Sequence, residues 1–192
     1  MSTQLEDLLH LQIRDDDRRL VKTRRGCSAA ARELDRCADA LHRLLGSERV
    51  RLVDDSAVRW NRTTREVLDL ARAAVNRVPY AKKQQIMCAL TAAAAAERRV
   101  TELTAALMRM ETRHVLRGGW WRFYAEEDNT LHTSDECARL RLRRGHAQLV
   151  PDLSGTDAYE LRRTASVEHL CPGCFSTSAL RTRKPRGLQD AA

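Results

Sequence analysis

The sequence predicts a mainly α protein. It reads as a three-helix antiparallel bundle or elongated coiled coil over residues 1–117, a small α+β module over residues 118–178, and a basic flexible tail over residues 179–192. Two observations carry this reading. Between Cys27 and Leu116 the only strong breakers are Gly46-Ser47 and Pro79, and each of the three pieces they delimit repeats apolar residues at alternating spacings of three and four. That rhythm places one buried seam along each helix. After Leu116 the composition shifts, because Gly118-Gly119 stop the helix and six of the eight aromatics fall within residues 120–175.

Taken in chain order, residues 1–21 open with Leu5, Leu8 and Leu9, but the run RDDDRR shows no seam, so a separate short helix or a frayed extension is expected there, with Gly26 as a break. The first seam is Cys27, Ala30, Leu34, Cys37, Leu41 and Leu44. Gly46 suits the left-handed residue after a helix end, and Ser47 suits the N-cap of the next helix. The second seam runs through Val50, Val53, Ala57, Trp60, Thr64, Val67, Ala71, Ala74 and Val78, which predicts one helix across that span. Pro79, with its fixed φ, suits the first turn of a third helix over residues 80–116, whose seam is Ile86, Ala89, Ala93, Ala96, Val100, Leu103, Leu107 and Met110. At 1.5 Å per residue that helix is about 55 Å long. Beyond it, WWRFYA, EEDN and TLHTS read as a β-hairpin with Trp121 and Phe123 on one face and Trp120, Arg122 and Tyr124 on the other. TDAYELRRTASVEHL reads as a helix capped by Thr156 or Asp157.

Composition removes several classes of protein. No window approaches the roughly 20 apolar residues of a membrane span, and MSTQLEDLLHLQIRDDD has no secretory pattern. A cytoplasmic protein with no membrane partner is expected. The net charge of +8 is spread along the chain, +6 over residues 1–116 and +2 over 117–192, so neither part is a one-sign block. Only four of the basic residues are lysines and the chain is also rich in Ala, a bias that fits a GC-rich coding sequence at least as well as it fits phosphate binding.

About 60 residues with one hairpin and one short helix bury little surface, and domains of that size need a staple. The donors for one are present: His132-x4-Cys137, then Cys171-Pro-Gly-Cys174 after 33 intervening residues. Imidazole and thiolate suit a tetrahedral structural Zn2+, and a CxxC turn lets two sulfurs meet one ion. Redox chemistry at the CxxC would call for a thioredoxin-like βαβ context, which the sequence lacks. His169, two residues before Cys171, is the alternative fourth ligand. Cys27 and Cys37 lie on the first seam as small apolar residues, Cys88 lies off the third seam, His10, His42 and His114 of the helical part have no companions, and His146 reads as a solvated residue of the basic loop RLRLRRGH.

The elements WRFY, LHTSDEC, LVPDLSG and EHLCPGCF together resemble the C-terminal zinc-binding segment of uncharacterised proteins from actinobacteria and their bacteriophages, which likewise follows a helical region. The matching positions are Trp120 or Trp121 through Phe123, His132 to Cys137, Leu153-Ser154-Gly155 and Leu170 to Phe175, about 55 residues in all. One departure is that relatives often carry a second Cys shortly after the one matching Cys137, where this chain has Ala138-Arg139-Leu140. The resemblance implies a phage or actinobacterial source, with the host cytoplasm as compartment if the protein is phage-encoded. It supports the four ligands and implies no activity.

Enzymatic readings find little footing. Zinc deaminases carry H-x-E and P-C-x-x-C. Here Ser134 stands two after His132, Pro172 lies inside the CxxC, and Cys137 would take the place of a reactive water. The upstream Asp-His pair of HNH-type endonucleases is missing, as are the Walker A, GxGxxG and GxSxG motifs. Asp54-Asp55 read as a solvated helix face. The expectation is therefore a non-enzymatic interaction protein that binds a protein partner, or itself, through the helical region. The alternative is nucleic-acid contact through a basic loop at Arg139, Arg141, Arg143 and Arg144 and the tail residues Arg181, Arg183, Lys184 and Arg186.

Overall fold

A computed structural model of the chain describes residues 2–51, 58–143, 146–166 and 169–183. The chain is mainly helical, with small antiparallel sheets, and divides into two compact units: residues 24–106, and residues 1–23 together with 107–192. Both long helices, α1 (Ser2–Leu44) and α3 (Tyr80–Leu116), contribute residues to each unit. Among the described residues no helix is long and apolar enough to cross a membrane.

In the unit of residues 24–106, the core gathers Cys37, Ala38 and Leu41 of α1, Val67, Leu68 and Ala71 of α2 (Thr64–Ala74), and Ile86 and Ala93 of α3. These include seam positions expected from all three pieces. Gly26 does not break α1; a Cβ there would make ordinary van der Waals contact with a Leu103 methyl at 3.4 Å. Next to it the Cys27 sulfur lies 3.6 Å from the Thr104 hydroxyl. The α1 terminus closes as expected at Gly46 (φ 69°), with Gly46 N–H donating to the Arg43 carbonyl and Ser47 N–H to the His42 carbonyl.

The second piece differs from expectation. Its first half forms two antiparallel strands, β1 (Arg49–Arg51) and β2 (Val58–Trp60), with Val50 opposite Arg59, and the helix begins only at Thr64. Two local forces override the heptad spacing. The Trp60 ring stacks on His42 at 4.7 Å and donates its indole N–H to Asp39 at 2.6 Å, with the Arg49 guanidinium 4.8 Å from the ring centroid. Thr63 and Glu66 form a reciprocal capping box, so Thr63, not Ser47, is the N-cap. Val53, Ala57, Asp54 and Asp55 lie outside the described residues. The third helix spans the expected residues, and its seam positions are buried or half-buried.

In the other unit Leu20 and Ile13 keep the phase of the α1 seam towards the N-terminus, and Asp17 lies one residue off it; all three are buried. Leu20 packs with Tyr124, Leu149, Leu107 and Met110. Asp17 is fully buried. It accepts from the Trp120 indole N–H at 2.9 Å and from Arg122 Nε at 2.9 Å, and Arg122 also reaches Glu111 at 2.6 Å. Burial pulls the Arg122 guanidinium down, but Asp17 and Glu111 more than offset this and hold it above its ordinary value. α3 ends in the same manner as α1, with Gly118 at φ 81° and Gly119 N–H donating to the His114 carbonyl.

The expected hairpin forms in shorter compass. β3 (Tyr124–Ala125) pairs with β4 (Leu131–His132), and β5 (Gln148–Leu149) adds to the other edge of β3. Residues 120–124 alternate as anticipated: Trp121 and Phe123 enter the core beside Cys137, Cys171 and Cys174, whereas Trp120, Arg122 and Tyr124 meet Asp17 and Leu20. The basic run expected as a loop is a short helix, α4 (Ala138–Arg143), because Leu140 needs burial in that same core. α5 (Ala158–Thr164) is capped by Asp157, which accepts from the N–H groups of Tyr159 and Glu160. It stops well short of Leu170, which forms a parallel bridge to Leu131. The tail expected from residue 179 starts instead inside a helix, α6 (Thr177–Arg183), whose Leu180 is fully buried. An apolar side chain in the small core outweighs the polar composition around it.

Candidate metal centre

Three local arrangements converge on one point. His132 stands on β4. The Leu131–Leu170 bridge, with Cys171 N–H donating to the Leu131 carbonyl at 2.9 Å, sets the CPGC turn alongside that strand. The turn itself is closed by Cys174 N–H and Phe175 N–H donating to the Cys171 carbonyl at 3.1 and 3.0 Å. Cys137 immediately precedes α4, its carbonyl accepting from Arg141 N–H.

As a result His132, Cys137, Cys171 and Cys174 are all buried, and one donor atom from each lies within 4.8 Å of the others. Cys137 Sγ is 3.8 Å from Cys171 Sγ, and Cys174 Sγ is 3.8 Å from His132 Nδ1. A tetrahedral ion with metal–sulfur bonds of about 2.3 Å holds its sulfurs about 3.8 Å apart. The cluster thus has the dimensions and the soft donors of a four-coordinate metal site. Burial pushes the Cys174 thiol up to about 11, despite the Thr133 N–H bond it accepts. At Cys137 burial acts the same way, but the backbone N–H groups of Arg139 and Leu140, with His132 and Cys174, prevail and bring it down to about 6. A divalent cation would favour the thiolate form of Cys174 against its burial.

The fourth donor is His132, 1% exposed, whereas His169 is exposed and stands outside the cluster. His132 Nε2 lies 3.1 Å from Glu126 Oε2, a contact between residues six apart that the spacing of the donors does not announce. Nor does it announce the Asp17–Arg122–Glu111 network, since an aspartate amid RDDDRR gives no sign of burial.

The basic residues considered for nucleic acid are not gathered in the same way. Arg139 and Arg141 are exposed on α4, Arg141 pairing with Glu136 at 3.5 Å, and Arg181 is exposed on α6. Arg143 and Arg183 end those two helices, and Arg144, Lys184 and Arg186 lie outside the described residues. No protein-family model, curated protein or solved structure matches the chain.

Proposed function

We propose that this is a non-enzymatic interaction protein whose C-terminal module is closed around a structural Zn2+ ion held by His132, Cys137, Cys171 and Cys174. The observation that carries the proposal is the four buried donors within 4.8 Å of one another, Cys137 Sγ–Cys171 Sγ and Cys174 Sγ–His132 Nδ1 both at 3.8 Å. Four protein ligands leave no open coordination position for a substrate or a reactive water, which is the mark of a structural site. The ion would stabilise a core of about ten buried residues that includes its own three cysteines. The helical region is the surface offered to a protein partner or to a second copy, and the resemblance of residues 120–175 favours a phage or actinobacterial source and a cytoplasmic setting.

Elemental analysis of the purified protein tests the metal. About one equivalent of zinc is expected, and Cys137→Ser, Cys171→Ser and Cys174→Ser should each lose it and destabilise the module. Less than about half an equivalent, with all three variants folding like wild type, refutes the site. His132→Ala should weaken the module less than Cys171→Ser, because water replaces a neutral imidazole more readily than a thiolate. Affinity purification from the host, with and without nuclease, tests the partner.

The exposed Arg139, Arg141 and Arg181 favour a second reading, contact with nucleic-acid phosphates. It requires binding that weakens steeply with salt and is lost when these arginines are neutralised. Capture of the partner unaffected by either treatment removes it.

A further inference from the structure

We infer that Glu126 is the positioning residue of the metal centre, holding the His132 ring by its Nε2–H so that Nδ1 is the atom presented to the ion. The inference rests on the metal reading of the four-residue cluster and adds to it a fifth residue, a ligating atom and a tautomer. Two distances carry it. Nε2 of His132 lies 3.1 Å from Glu126 Oε2, while Nδ1 of the same ring faces Cys174 Sγ at 3.8 Å. The two ring nitrogens thus have different neighbours, a carboxylate on one side and the sulfur cluster on the other. A carboxylate only accepts, so Nε2 must carry the proton, and the lone pair is left on Nδ1. The pair is enclosed, with the His132 side chain 1% exposed and that of Glu126 11%.

The backbone explains why Glu126 can reach. Tyr124 is the direct partner of His132 in the β3–β4 pairing, so Glu126, two residues further along, is a diagonal neighbour across the hairpin. Diagonal positions are about 7–8 Å apart, within reach of a long side chain. The hairpin loop fixes that position: Glu126 N–H donates to the Thr130 carbonyl, Asn129 N–H donates to the Glu126 carbonyl, and Asn129 adopts the left-handed conformation at φ 63°. Asp128 caps the turn by accepting from Thr130 N–H. An aspartate at 126, one methylene shorter, would fall short of the ring.

The contact does more than orient. A carboxylate on the distal nitrogen raises the basicity of the ligating one, and such partners are worth about 10- to 100-fold in metal affinity. The hairpin, which contributes one ligand, thereby also contributes the group that tunes it.

The test uses the full chain, wild type, Glu126→Gln and Glu126→Ala, each loaded with Zn2+ and titrated with a chromophoric chelator. Glu126→Ala should bind zinc about 10- to 100-fold more weakly and release it faster to excess chelator, with Glu126→Gln between the two. Long-range 1H–15N spectra of the His132 ring should show Nδ1 bound to metal and Nε2 protonated in wild type, and a loss of the single ligation mode in Glu126→Ala. If Glu126 served only the hairpin, its replacement would lower thermal stability and leave zinc affinity and Nδ1 ligation unchanged. That result overturns the inference, as does ligation through Nε2 in wild type. If Glu126→Ala fails to fold, Glu126→Gln decides by the same readouts. A wild-type chain that takes up no zinc refutes the metal reading before any substitution is made, and the role of Glu126 with it.

Discussion

Replacing Asp17 by alanine should be among the most damaging single changes in this protein. The carboxylate is fully buried and accepts from Trp120 Nε1 at 2.9 Å and from Arg122 Nε and Nη2 at 2.9 and 2.8 Å. Removing one partner of a buried ion pair costs about 3–5 kcal/mol, because the remaining charge keeps its desolvation penalty without its counter-charge. Arg122 retains Glu111 at 2.6 Å, and the Glu111 side chain is 39% exposed, which sets the charge contribution at the lower end, about 3 kcal/mol. The orphaned indole N–H adds about 1 kcal/mol or more, so a loss of about 4 kcal/mol is expected. Asp17→Asn should cost less, since the amide oxygen still accepts, but its NH2 faces donors of Arg122. Urea denaturation at fixed zinc concentration, followed by tryptophan fluorescence and near-UV circular dichroism, measures both. Repeating Asp17→Ala in a Trp120→Phe background should recover about 1 kcal/mol of the loss, the coupling between carboxylate and indole. A loss below about 1 kcal/mol for Asp17→Ala would mean that water replaces the carboxylate, and the account of this network would be wrong.

Three further outcomes are expected. Leu180→Ala, at a fully buried position of α6, should destabilise the metal module by about 2–5 kcal/mol; a change within about 0.5 kcal/mol would mean that α6 contributes nothing to the core. Burial pulls His114 down to about 4, with Arg122 acting in the same direction and Asp17 and Glu111 opposing. Between pH 6.5 and about 4 the unfolded chain therefore takes up a proton that the folded chain refuses, so stability falls as pH falls through that window. His114→Gln should show a shallower fall in parallel urea titrations, and an identical slope would refute the assignment. Zinc uptake should release protons, because thiols such as Cys174, pushed up to about 11, must ionise to bind. Uptake measured in a weak buffer with a pH indicator should acidify the solution, and no acidification would count against thiolate ligation.

Much of the site was legible in the linear sequence. H-x4-C and CPGC name their own chemistry, and a small module that buries little surface needs such a staple. The alternation of Trp121 and Phe123 against Trp120, Arg122 and Tyr124 was legible for a similar reason, since a strand has only two faces. The third helix was legible because its seam runs uninterrupted from Ile86 to Met110. The second helix misled where valines at heptad spacing served strands as readily as a helix. There the capping pair Thr63 and Glu66 was the signal that marked the true helix start.

What the sequence determined by itself, then, is whatever depends on residues close along the chain: helix rhythm, caps, turn glycines and a ligand set chosen by side-chain chemistry. What only the tertiary structure decided are the pairings across long separations. Asp17 meets Trp120 and Arg122 more than a hundred residues away, and an acid can be fully buried on a helix only when such partners are present. Leu180 becomes core only because α6 folds back onto the cysteine cluster. Glu126 becomes a neighbour of His132 only through the register of the β3–β4 hairpin. The physical reason is common to all three. Burial turns a charge, a methyl group or a carboxylate from a solvated surface feature into a determinant of stability, and burial is set by the fold.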